Sequence, residues 1–559
     1  MENITKAYSE ALEALTAAGQ DFEVSRQSIN GTPYIMYTNA PTSLQEVYMA
    51  SKNHGNKDFL IYEGERWSFS GFLEQASQIA IGLQTKHNIN KGDRVGIAMR
   101  NYPEWMSAFV AITSIGAIAV PVNSWGKAKD LLFAVEDAQC KTVFCDQERY
   151  QLMAEGMETA TIKGVVARPT AGLVETELVS SLDTFITDIS AEIDVLQSTV
   201  IESEDLAMIM YTSGTTGKPK GAVSTHRAIC QALINFDCTA YASAMVNGPL
   251  IGRMMEKGYE PSQLLAVPLF HVSGLHAIFL TALRAGRKIT MMYKWNAEEA
   301  LKLVEQEKIT IISAAPSMLT QLLESDAFDQ TNTDSIASLG AGGSATSPRL
   351  SRLINQKVDS GYPGTGWGLT ETNSIGTAFT GRAFIENPGS AGFCHATVEA
   401  KVCDEQGDEL PVGQPGRIWI KTPTLVNEYW NREKANAESF KDGWFDSEDI
   451  GYFNDDGLLF LSDRAKDMII RGGENIYPAE IEAVLIEHPA IAQSAVVGTQ
   501  DERMGEVGCA FITLKPDQLI DEASLIAWCR ERMANYRVPR KVKIIEAMPL
   551  NASNKIVKA

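Results

Sequence analysis

Hydrophobic and polar residues follow two alternating patterns over the first 340 residues of the chain. From Ala297, apolar side chains recur at helical spacing; a β-branched run from Ile309 to Ser313 follows, and Pro316 then opens another helix. The segment KDLLFAVEDAQCKTVFCD, which begins at Lys129, repeats this order. The alternation predicts an α/β fold in which helices cover mainly parallel sheets.

The pattern changes after Gly381, where short strands are separated by Gly, Pro and Asp turns. This texture predicts an antiparallel, barrel-like portion. After Asp463 the pattern becomes mixed α+β, and basic and acidic residues are equal in number there, so the acidic excess lies before it. We therefore predict a large N-terminal domain over residues 1–463 and a small, mobile α+β C-terminal domain over residues 464–559.

One uncharged run, from Trp105 to Trp125, is long enough to cross a bilayer. Gly116 and Pro121 divide it into pieces of the size found in soluble proteins, so we expect a buried helix followed by a short core strand. The N-terminus carries acidic residues where a signal peptide needs basic ones. We expect a soluble, cytoplasmic protein without a transmembrane segment.

Charge and cysteine content exclude two further classes. The 559 residues include 49 basic and 70 acidic side chains, a net charge of −21, which argues against nucleic acid as a partner. The eight cysteines form no CxxC pair, so neither a zinc site nor a disulfide framework is expected.

The segment YTSGTTGKPKG, from Tyr211 to Gly221, has the composition of a phosphate-binding loop. Glycines let backbone N–H groups approach an oxyanion, and hydroxyl side chains add donors. Only two residues separate Gly214 from Gly217, so the loop is not of the Walker type. The preceding LAMIM predicts a buried strand, which places the loop at a strand end, where α/β sheets bind ligands.

Further motifs follow in order: PLFHVSGL from Pro268, GAGGSA from Gly340, TGWGLTE from Thr365, GWFDSEDIG from Gly443 and, near the end, PLNASNKIVKA. The longest is DRAKDMIIRGGENIYPAEIE, which begins at Asp463. With the phosphate loop, this set resembles the adenylate-forming superfamily, which includes acyl- and aryl-CoA synthetases. The resemblance covers most of the chain.

The resemblance implies a site for ATP and Mg²⁺. Lys220 would stabilise the leaving pyrophosphate, and Thr370 would hold the α-phosphate. Glu371 would ligate Mg²⁺ together with Thr212. Trp367 stands where the family usually has tyrosine, and its indole would stack on adenine. The remaining nucleotide-binding positions are Ser213, Gly214, Thr215, Thr216, Gly217, Lys218, Gly342, Gly343, Ser344, Thr365, Gly366 and Gly368.

The last three motifs along the chain supply the ribose, coenzyme A and hinge positions and the lysine near the C-terminus. By resemblance, Asp449 binds the ribose hydroxyls, and Arg464 reaches the ribose or a phosphate. Lys466 falls at the hinge, and Gly472 and Gly473 line the path of coenzyme A. Lys555 would neutralise charge during adenylation; Asn554 precedes it where the family has glycine, and asparagine tolerates the left-handed conformation that such a turn requires.

The resemblance indicates an ATP-dependent carboxylate–CoA ligase, and we favour the fatty-acyl type. The acyl pocket would be formed by His271, Val272, Phe236 and Leu369. Taken alone, His271 is more typical of a core histidine, but its place in the ordered set of motifs favours the pocket wall. The other three candidates are apolar, and no cation for a second carboxylate is evident, which favours a monocarboxylate, aliphatic or aryl.

Several alternatives stay open from the sequence. The enzyme could be an aryl-CoA ligase, or a stand-alone adenylating enzyme that loads a carrier protein or closes a β-lactone. A non-catalytic binding relative is a further class. The basic run from Cys529 to Lys543 fits a solvated face and the phosphates of coenzyme A equally well. Peripheral membrane contact and a homodimer also remain open.

Overall fold

The computed structural model describes residues 4–212, 219–343, 346, 348–358, 362–464, 467–471, 474–501, 503–551 and 554–558; for residues 348, 362, 463, 464, 474 and 475 only the backbone is described. Two large mixed sheets, an antiparallel sheet and a small C-terminal sheet make up its framework. This arrangement confirms the predicted α/β class.

The first large sheet has eight strands. Its order is Glu428–Tyr429, Lys220–Thr225, Leu206–Thr212, Ile118–Pro121, Arg94–Ala98, Thr142–Asp146, Lys163–Ala167 and Val179–Ser181. Neighbours from Leu206–Thr212 onward are parallel, and the two strands before it pair antiparallel. The strand that enters the phosphate loop therefore has parallel pairing on one side and antiparallel pairing on the other.

The second large sheet has nine strands. Its order is Phe393–Cys394, Thr377–Thr380, Tyr362–Trp367, Ser338–Gly342, Ile311–Ala314, Ser262–Leu265, Lys288–Met291, Asp58–Tyr62 and Glu65–Ser68. The central strands are parallel, and antiparallel partners close both edges. The GAGGSA and TGWGLTE motifs thus begin on neighbouring parallel strands and leave the sheet at the same edge.

The main hydrophobic core lies between these two sheets. Strand side chains such as Val95 and Leu264 meet the helices Phe69–Thr85 and Pro103–Ser114 there. Every residue of Pro103–Ser114 is buried, and the strand Ile118–Pro121 follows it. The uncharged run from Trp105 is therefore a core helix and a core strand, as predicted, and among the described residues no helix has the length and apolar character needed to span a membrane.

The α-helices are Ile4–Thr16, Leu44–Ser51, Phe69–Thr85, Pro103–Ser114, Ala128–Asp137, Gln147–Thr159, Leu182–Ile186, His226–Val246, Gly248–Lys257, Val272–Gly274, Thr281–Ala285, Ala297–Glu307, Pro316–Glu324, Pro348–Lys357, Arg382–Glu386, Glu433–Ser439, Pro478–Ile486 and Glu522–Arg530. A π-helix covers Leu275–Leu280, and 3₁₀ turns cover Lys52–His54, Ile193–Gln197, Phe328–Gln330 and Thr370–Thr372.

The unit predicted from Ala297 differs from the structure at one boundary. The helix begins at Ala297, as expected, but the following strand begins at Ile311, two residues later than predicted. Lys308 has a left-handed backbone with φ 53°, and the N–H of Ile309 donates to the carbonyl of Val304. Ile309 therefore belongs to the C-terminal end of the helix, and the strand begins only after it.

Antiparallel structure follows the second sheet, as the change of pattern after Gly381 predicts. The third sheet runs Glu399–Cys403, Gly416–Lys421, Trp444–Phe453 and Phe440–Lys441, and Leu459–Arg464 also pairs with Trp444–Phe453. The C-terminal sheet runs Glu474–Ile476, Ile469–Arg471, Gly505–Leu514 and Ile491–Asp501, with Lys541–Ile544 parallel to Gly505–Leu514. At the N-terminus, Val24–Ile29 and Thr32–Tyr37 form a hairpin.

Candidate functional site

The two ends of the phosphate loop are held together by an antiparallel ladder. Thr212 pairs with Lys220 in register, and the Thr212 hydroxyl donates to the Lys220 carbonyl over 3.3 Å. Six predicted phosphate contacts, Ser213, Gly214, Thr215, Thr216, Gly217 and Lys218, lie outside the described residues. Thr212 and Lys220 thus fix where the loop leaves and rejoins the sheet.

The ammonium of Lys220 lies 4.3 Å from the ring centre of Tyr429. A cation over an aromatic face is attracted by the electrons of the ring. Lys220 also lines a cavity of about 290 Å³. The other residues lining that cavity are Arg417, Ala435, Glu438, Ser439, Asp446 and Glu448.

Tyr429 also connects Lys220 to the predicted magnesium ligand. Its phenol donates to Oε1 of Glu371 over 2.7 Å. Burial, and then the negative charge of Glu371, raise the pKa of Tyr429 well above its usual value, so the phenol keeps its proton and remains a donor. Sequence reasoning missed Tyr429, because no local motif connects it with Glu371, which lies 58 positions earlier in the chain.

The turn that carries Thr370 and Glu371 is anchored on both sides. A side chain on Gly368 would collide with the carbonyl of Ser374, so the chain can fold back there only with glycine. The buried amide of Asn373 accepts from the Ser224 hydroxyl over 2.9 Å and donates to the carbonyl of Thr424 over 2.8 Å. The turn is therefore fixed to the first sheet.

The donor atoms present fit a magnesium ion that is held mainly by nucleotide phosphates. Glu371 offers a carboxylate, and Thr212 offers a hydroxyl. Within the described part of the chain, no three His, Cys, Asp or Glu side chains cluster as a metal site. Magnesium commonly binds through one or two carboxylates and substrate phosphates, so a single glutamate suffices for this mode.

Trp367 and Asp449 meet across two different sheets. The indole Nε1 of Trp367 donates to Oδ2 of Asp449 over 2.7 Å, and both side chains are buried. The ladder beside Asp449 is irregular, and Glu448 has a left-handed backbone with φ 58°. Such a bulge changes the direction of the next side chain, here that of Asp449. Of Arg464, only the backbone is described; it pairs with Asp449.

The structure brings Lys555 to the end of the GAGG strand. Gly343 has φ +81°, and a Cβ there would lie 2.7 Å from Cε and 3.0 Å from Nζ of Lys555. Next to it, the hydroxyls of Thr346 and Thr365 are 3.1 Å apart. Ser344 lies outside the described residues. The catalytic lysine predicted from the tail and the adenine-binding turn predicted from GAGGSA are thus in contact.

A short turn holds Lys555 in this place. Asn554 has φ 56°, so asparagine does adopt the left-handed conformation expected of it. Its carbonyl accepts from the Ser317 hydroxyl over 3.1 Å. The N–H of Lys555 donates to Oδ1 of Asn551 over 3.0 Å, and its carbonyl accepts from the N–H of Asn551. Ser317, a contact that the sequence does not reveal, ties the tail to the helix Pro316–Glu324.

His271 precedes the short helix Val272–Gly274 and the π-helix that follows it. Burial, and then the positive charge of Lys555, lower the pKa of His271 to about 3. The imidazole is therefore neutral at physiological pH and lies within electrostatic reach of Lys555. A second missed residue, Asn101, bonds the N–H of Leu269 and the carbonyl of Val267 over 3.0 and 2.9 Å, which fixes the segment before His271.

The remaining pocket candidates lie in two clusters. Val272 belongs to the core between the large sheets, whereas Phe236 and Leu369 pack against the cluster that contains Trp367. The ring of Phe236 meets His395 edge-on, with centroids 6.3 Å apart. That the four candidates line one acyl pocket stays a prediction.

The hinge and coenzyme A positions lie largely outside the described residues. Lys466, Gly472 and Gly473 belong to that group. The strands on either side of the two glycines pair antiparallel, with Arg471 opposite Glu474. The strands Ile469–Arg471 and Glu474–Ile476, which precede and follow the two glycines in the sequence, thus form an antiparallel pair.

Comparison with known proteins identifies the family. The model of the AMP-binding enzymes matches residues 47–430, and that of the AMP-binding enzyme C-terminal domain matches residues 480–555. The chain is 32% identical to a 2-succinylbenzoate–CoA ligase of Bacillus velezensis, over 89% of this chain and 93% of the relative. It is 31% identical to a long-chain-fatty-acid–CoA ligase of Mycobacterium tuberculosis, over 85% and 88%.

A solved structure matches over a similar length. It is the o-succinylbenzoate CoA synthetase of Bacillus subtilis in complex with its acyl-adenylate intermediate, with a TM-score of 0.74, 29% identity and coverage of 91% of this chain and 96% of that one. The agreement extends over both the large N-terminal part and the smaller C-terminal part of the fold. The chain therefore belongs to the family of AMP-binding enzymes, within the branch of carboxylate–CoA ligases.

Proposed function

We propose that this protein is a carboxylate–CoA ligase that uses ATP and Mg²⁺, and that its acid is a monocarboxylate of the fatty-acyl type. The observation that carries the proposal is the position of Lys555. Its side chain reaches the turn at Gly343, and its positive charge adds to the effect of burial in lowering the pKa of His271, so one ammonium lies between the predicted adenine and acyl sites. An acyl-adenylate that occupied both predicted sites would have its mixed anhydride beside this ammonium.

The first half-reaction is adenylation. A carboxylate oxygen attacks the α-phosphorus of ATP, a new P–O bond forms, and the bond to the β-phosphate breaks with release of pyrophosphate. Lys555 stabilises the negative charge at the α-phosphate, and Thr370 holds it in place. Asp449 holds the ribose. Magnesium, when bound at Glu371, would neutralise phosphate charge.

The second half-reaction is thioester formation. The thiolate of coenzyme A attacks the carbonyl carbon of the acyl-adenylate, the C–O bond to AMP breaks, and the thiol proton passes to solvent. We propose that residues 464–559 rotate about Lys466 between the two steps. This rotation would withdraw Lys555 and bring Gly472 and Gly473 to the path of the thiol.

The nature of the pocket candidates supports a single carboxylate. Phe236, Val272 and Leu369 are apolar, and the low pKa of His271 keeps that imidazole uncharged at neutral pH. A second carboxylate on the substrate would therefore meet no positive charge at these four positions. This argues for a fatty acid over a dicarboxylate such as 2-succinylbenzoate, on which a relative acts.

A panel of acids tests both the reaction and its acid. Octanoate, palmitate, benzoate, ferulate and 2-succinylbenzoate are each supplied with ATP, Mg²⁺ and coenzyme A, and pyrophosphate and thioester are quantified. We expect release of one pyrophosphate per thioester, with kcat/KM highest for a fatty acid. A higher kcat/KM for an aryl acid would replace the fatty-acyl assignment. Pyrophosphate release without formation of an acyl-CoA thioester would mean that coenzyme A is not the acceptor and would favour a carrier-protein thiol.

A further inference from the structure

Asp137, the last residue of the helix Ala128–Asp137, accepts hydrogen bonds from three side chains. The Tyr211 phenol donates to its Oδ2 over 2.7 Å, and the Arg432 guanidinium donates to its Oδ1 over 2.7 Å. The indole Nε1 of Trp430 donates to the Asp137 carbonyl over 3.1 Å. The Asp137 side chain is 16% exposed, so little water competes for these bonds. Three donors from two distant parts of the chain thus meet at one residue.

The helix alone gives no reason for an acidic residue at this position. Negative charge is unfavourable at a helix C-terminus, where the free carbonyls already carry partial negative charge. Arg432 offsets the charge of Asp137, and Trp430 satisfies one of the free carbonyls. Burial, and then the bond to Asp137, raise the pKa of Tyr211 well above its usual value, so the phenol keeps its proton and remains a donor.

The two chain segments that donate to Asp137 lie on either side of the strand that leaves the phosphate loop. That strand, Lys220–Thr225, has Leu206–Thr212 on one side and the two-residue edge strand Glu428–Tyr429 on the other. The edge strand shares only two register pairs with the middle strand. Asp137 therefore reaches across the middle strand and joins its two neighbours.

The edge strand continues into a turn that has an anchor of its own. Asn436 accepts from the N–H of Tyr429 over 2.7 Å and donates to the Tyr429 carbonyl over 3.0 Å. The N–H of Asn436 also donates to the carbonyl of Arg432 over 2.9 Å. Arg432 thus belongs to a fixed turn, and its guanidinium gives the Asp137 carboxylate a fixed partner.

The Tyr211 side is held less firmly by the sheet. Thr212 opposite Lys220 is the last register pair before the loop, here called the terminal pair, and Tyr211 comes directly before it. In the part of the sheet that the structure describes, the parallel neighbour pairs with Met208 and with no residue nearer to the loop. Among the described residues, the Tyr211 phenol bonds to Asp137 alone. This bond therefore supports the ladder where its parallel neighbour no longer does.

Packing directs the phenol across the middle strand. A Cβ on Gly221 would lie 3.2 Å from Cζ of Tyr211 and 3.4 Å from Cβ of Trp430, so both side chains lie close to that glycine. The N–H of Trp430 donates to the Gly221 carbonyl over 2.7 Å. The phenol and the edge strand are thus both in contact with the backbone that follows Lys220, and Asp137 binds both.

We propose that Asp137 is a positioning residue that, through Tyr211, fixes the terminal pair and so sets the affinity of the site for the β- and γ-phosphates of ATP. This role rests on the proposed function, in which Lys220 stabilises the pyrophosphate and Thr212 helps to bind Mg²⁺. Asp137 acts here without contacting the nucleotide. Without its carboxylate, the terminal pair moves more freely, and more order has to be imposed on it when ATP binds.

AMP separates this role from a general loss of structure. AMP carries only the α-phosphate, which the proposed function assigns to Thr370 and Lys555, so its binding does not depend on the terminal pair. A variant with a distorted nucleotide site binds both ligands more weakly. A variant with an unfolded fraction has less active protein but unchanged dissociation constants. The ratio of the dissociation constants of MgATP and AMP therefore isolates the positioning role.

The experiment measures binding of MgATP and of AMP to the full-length protein by calorimetry, with no carboxylic acid present, so that adenylation does not consume the ATP. The variants are Asp137→Ala, Tyr211→Phe and the two combined. Asp334→Ala is the matched control. Asp334 also accepts from a phenol, that of Tyr259, and pairs with a cation, Lys257, but its side chain is exposed and precedes the second large sheet.

We expect Asp137→Ala to raise the dissociation constant of MgATP by about 10-fold relative to that of AMP, the value of a hydrogen bond to a charged group. Tyr211→Phe should raise the same ratio by about 3-fold, and should add nothing in the Asp137→Ala background. Asp334→Ala should leave the ratio unchanged.

Three results would overturn the positioning role: an unchanged ratio in Asp137→Ala or Tyr211→Phe, an equal loss of affinity for both nucleotides, or independent, additive effects of the two substitutions. A rise in Asp334→Ala as large as that in Asp137→Ala would do the same, because the effect would not be specific to the phosphate loop. Absence of MgATP binding to the wild-type protein would instead overturn the proposed function itself.

Discussion

At the scale of single residues, the side chain that prepares Glu371 for its predicted task is Tyr429. Its protonated phenol holds one oxygen of the carboxylate, and its ring faces the ammonium of Lys220. Groups that orient a metal ligand in this way change metal affinity without touching the metal. Tyr429 thus links the predicted magnesium ligand to the lysine at the exit of the phosphate loop.

Removing this phenol gives the first prediction. Tyr429→Phe should raise the Mg²⁺ concentration that half-saturates ATP binding by about 10-fold, because the Glu371 carboxylate loses the donor that orients it. Calorimetric titration of ATP over a series of Mg²⁺ concentrations measures this shift. Tyr452→Phe is the control, since Tyr452 stacks on Phe460 in the third sheet. An unchanged Mg²⁺ dependence in Tyr429→Phe would refute the orienting role.

At the scale of elements, the strand that ends in Gly342 and the turn at Asn554 form one unit that positions Lys555. The left-handed backbone of Gly343 leaves no room for a side chain beside Lys555. The turn around Asn554 carries Lys555, and the Ser317 hydroxyl holds that turn in place by donating to the Asn554 carbonyl. The position of the lysine thus depends on glycine at one position and on a left-handed residue at the other.

A methyl group at Gly343 tests this unit. Gly343→Ala should reduce adenylation by about 10-fold, because the Cβ displaces the end of Lys555 and weakens a charge-assisted contact with the phosphate. Thioester formation from supplied acyl-adenylate should change little. Gly407→Ala is the matched control: its φ is +92°, yet its Cβ would have open space around it. If both half-reactions fell together in Gly343→Ala, the methyl would be blocking the nucleotide and not the lysine.

Sequence patterns predicted the elements of this unit better than the contacts between them. Periodicity gave the helix at Ala297 and the core helix within the run from Trp105, since an apolar face or an uncharged run is local information. The bonds from Trp367 to Asp449 and from Tyr429 to Glu371 depend on how two sheets meet and on a bulge at Glu448. No local pattern encodes such packing, so both bonds appeared only in the structure.

At the scale of the whole molecule, buried histidines couple stability to pH. Burial lowers the pKa of His226 and His395 to about 4 and that of His276 to about 3, against an ordinary value near 6.5. Below pH 6.5 these three histidines bind protons in the unfolded chain but stay unprotonated in the folded chain. The free energy of unfolding therefore falls as the pH drops from 6.5 toward 4.

His276 offers a test of this coupling, because neither of its ring nitrogens has a hydrogen-bond partner among the described residues. The wild-type protein should lose stability between pH 7 and pH 5, and His276→Leu should lose about 2 kcal/mol less over the same interval. Urea unfolding at the two pH values, in both proteins, measures the difference. Equal losses in the two proteins would mean that His276 is protonated as readily in the folded chain as in the unfolded one.

We propose that the contact between the C-terminal part and the rest of the molecule belongs to the adenylation step. Besides Ser317 and Asn554, Arg352 pairs with Glu487 over 2.6 Å and Lys515 with Glu324 over 3.7 Å. These are surface ion pairs of small individual value, so they are compatible with a C-terminal domain that changes position between steps. Under this proposal, Lys555 serves the first half-reaction alone.

The most direct test of the account is to measure the two half-reactions separately in Lys555→Ala. Adenylation is followed by carboxylate-dependent exchange of labelled pyrophosphate into ATP, and thioester formation by the reaction of supplied acyl-adenylate with coenzyme A. We predict that the exchange falls by at least about 100-fold, the loss expected when a charge-stabilising group is removed from a transition state, while thioester formation stays within a few-fold of the wild-type rate. Equal loss of both activities, or full retention of the exchange, would contradict the role assigned to Lys555 and the two-step mechanism built on it.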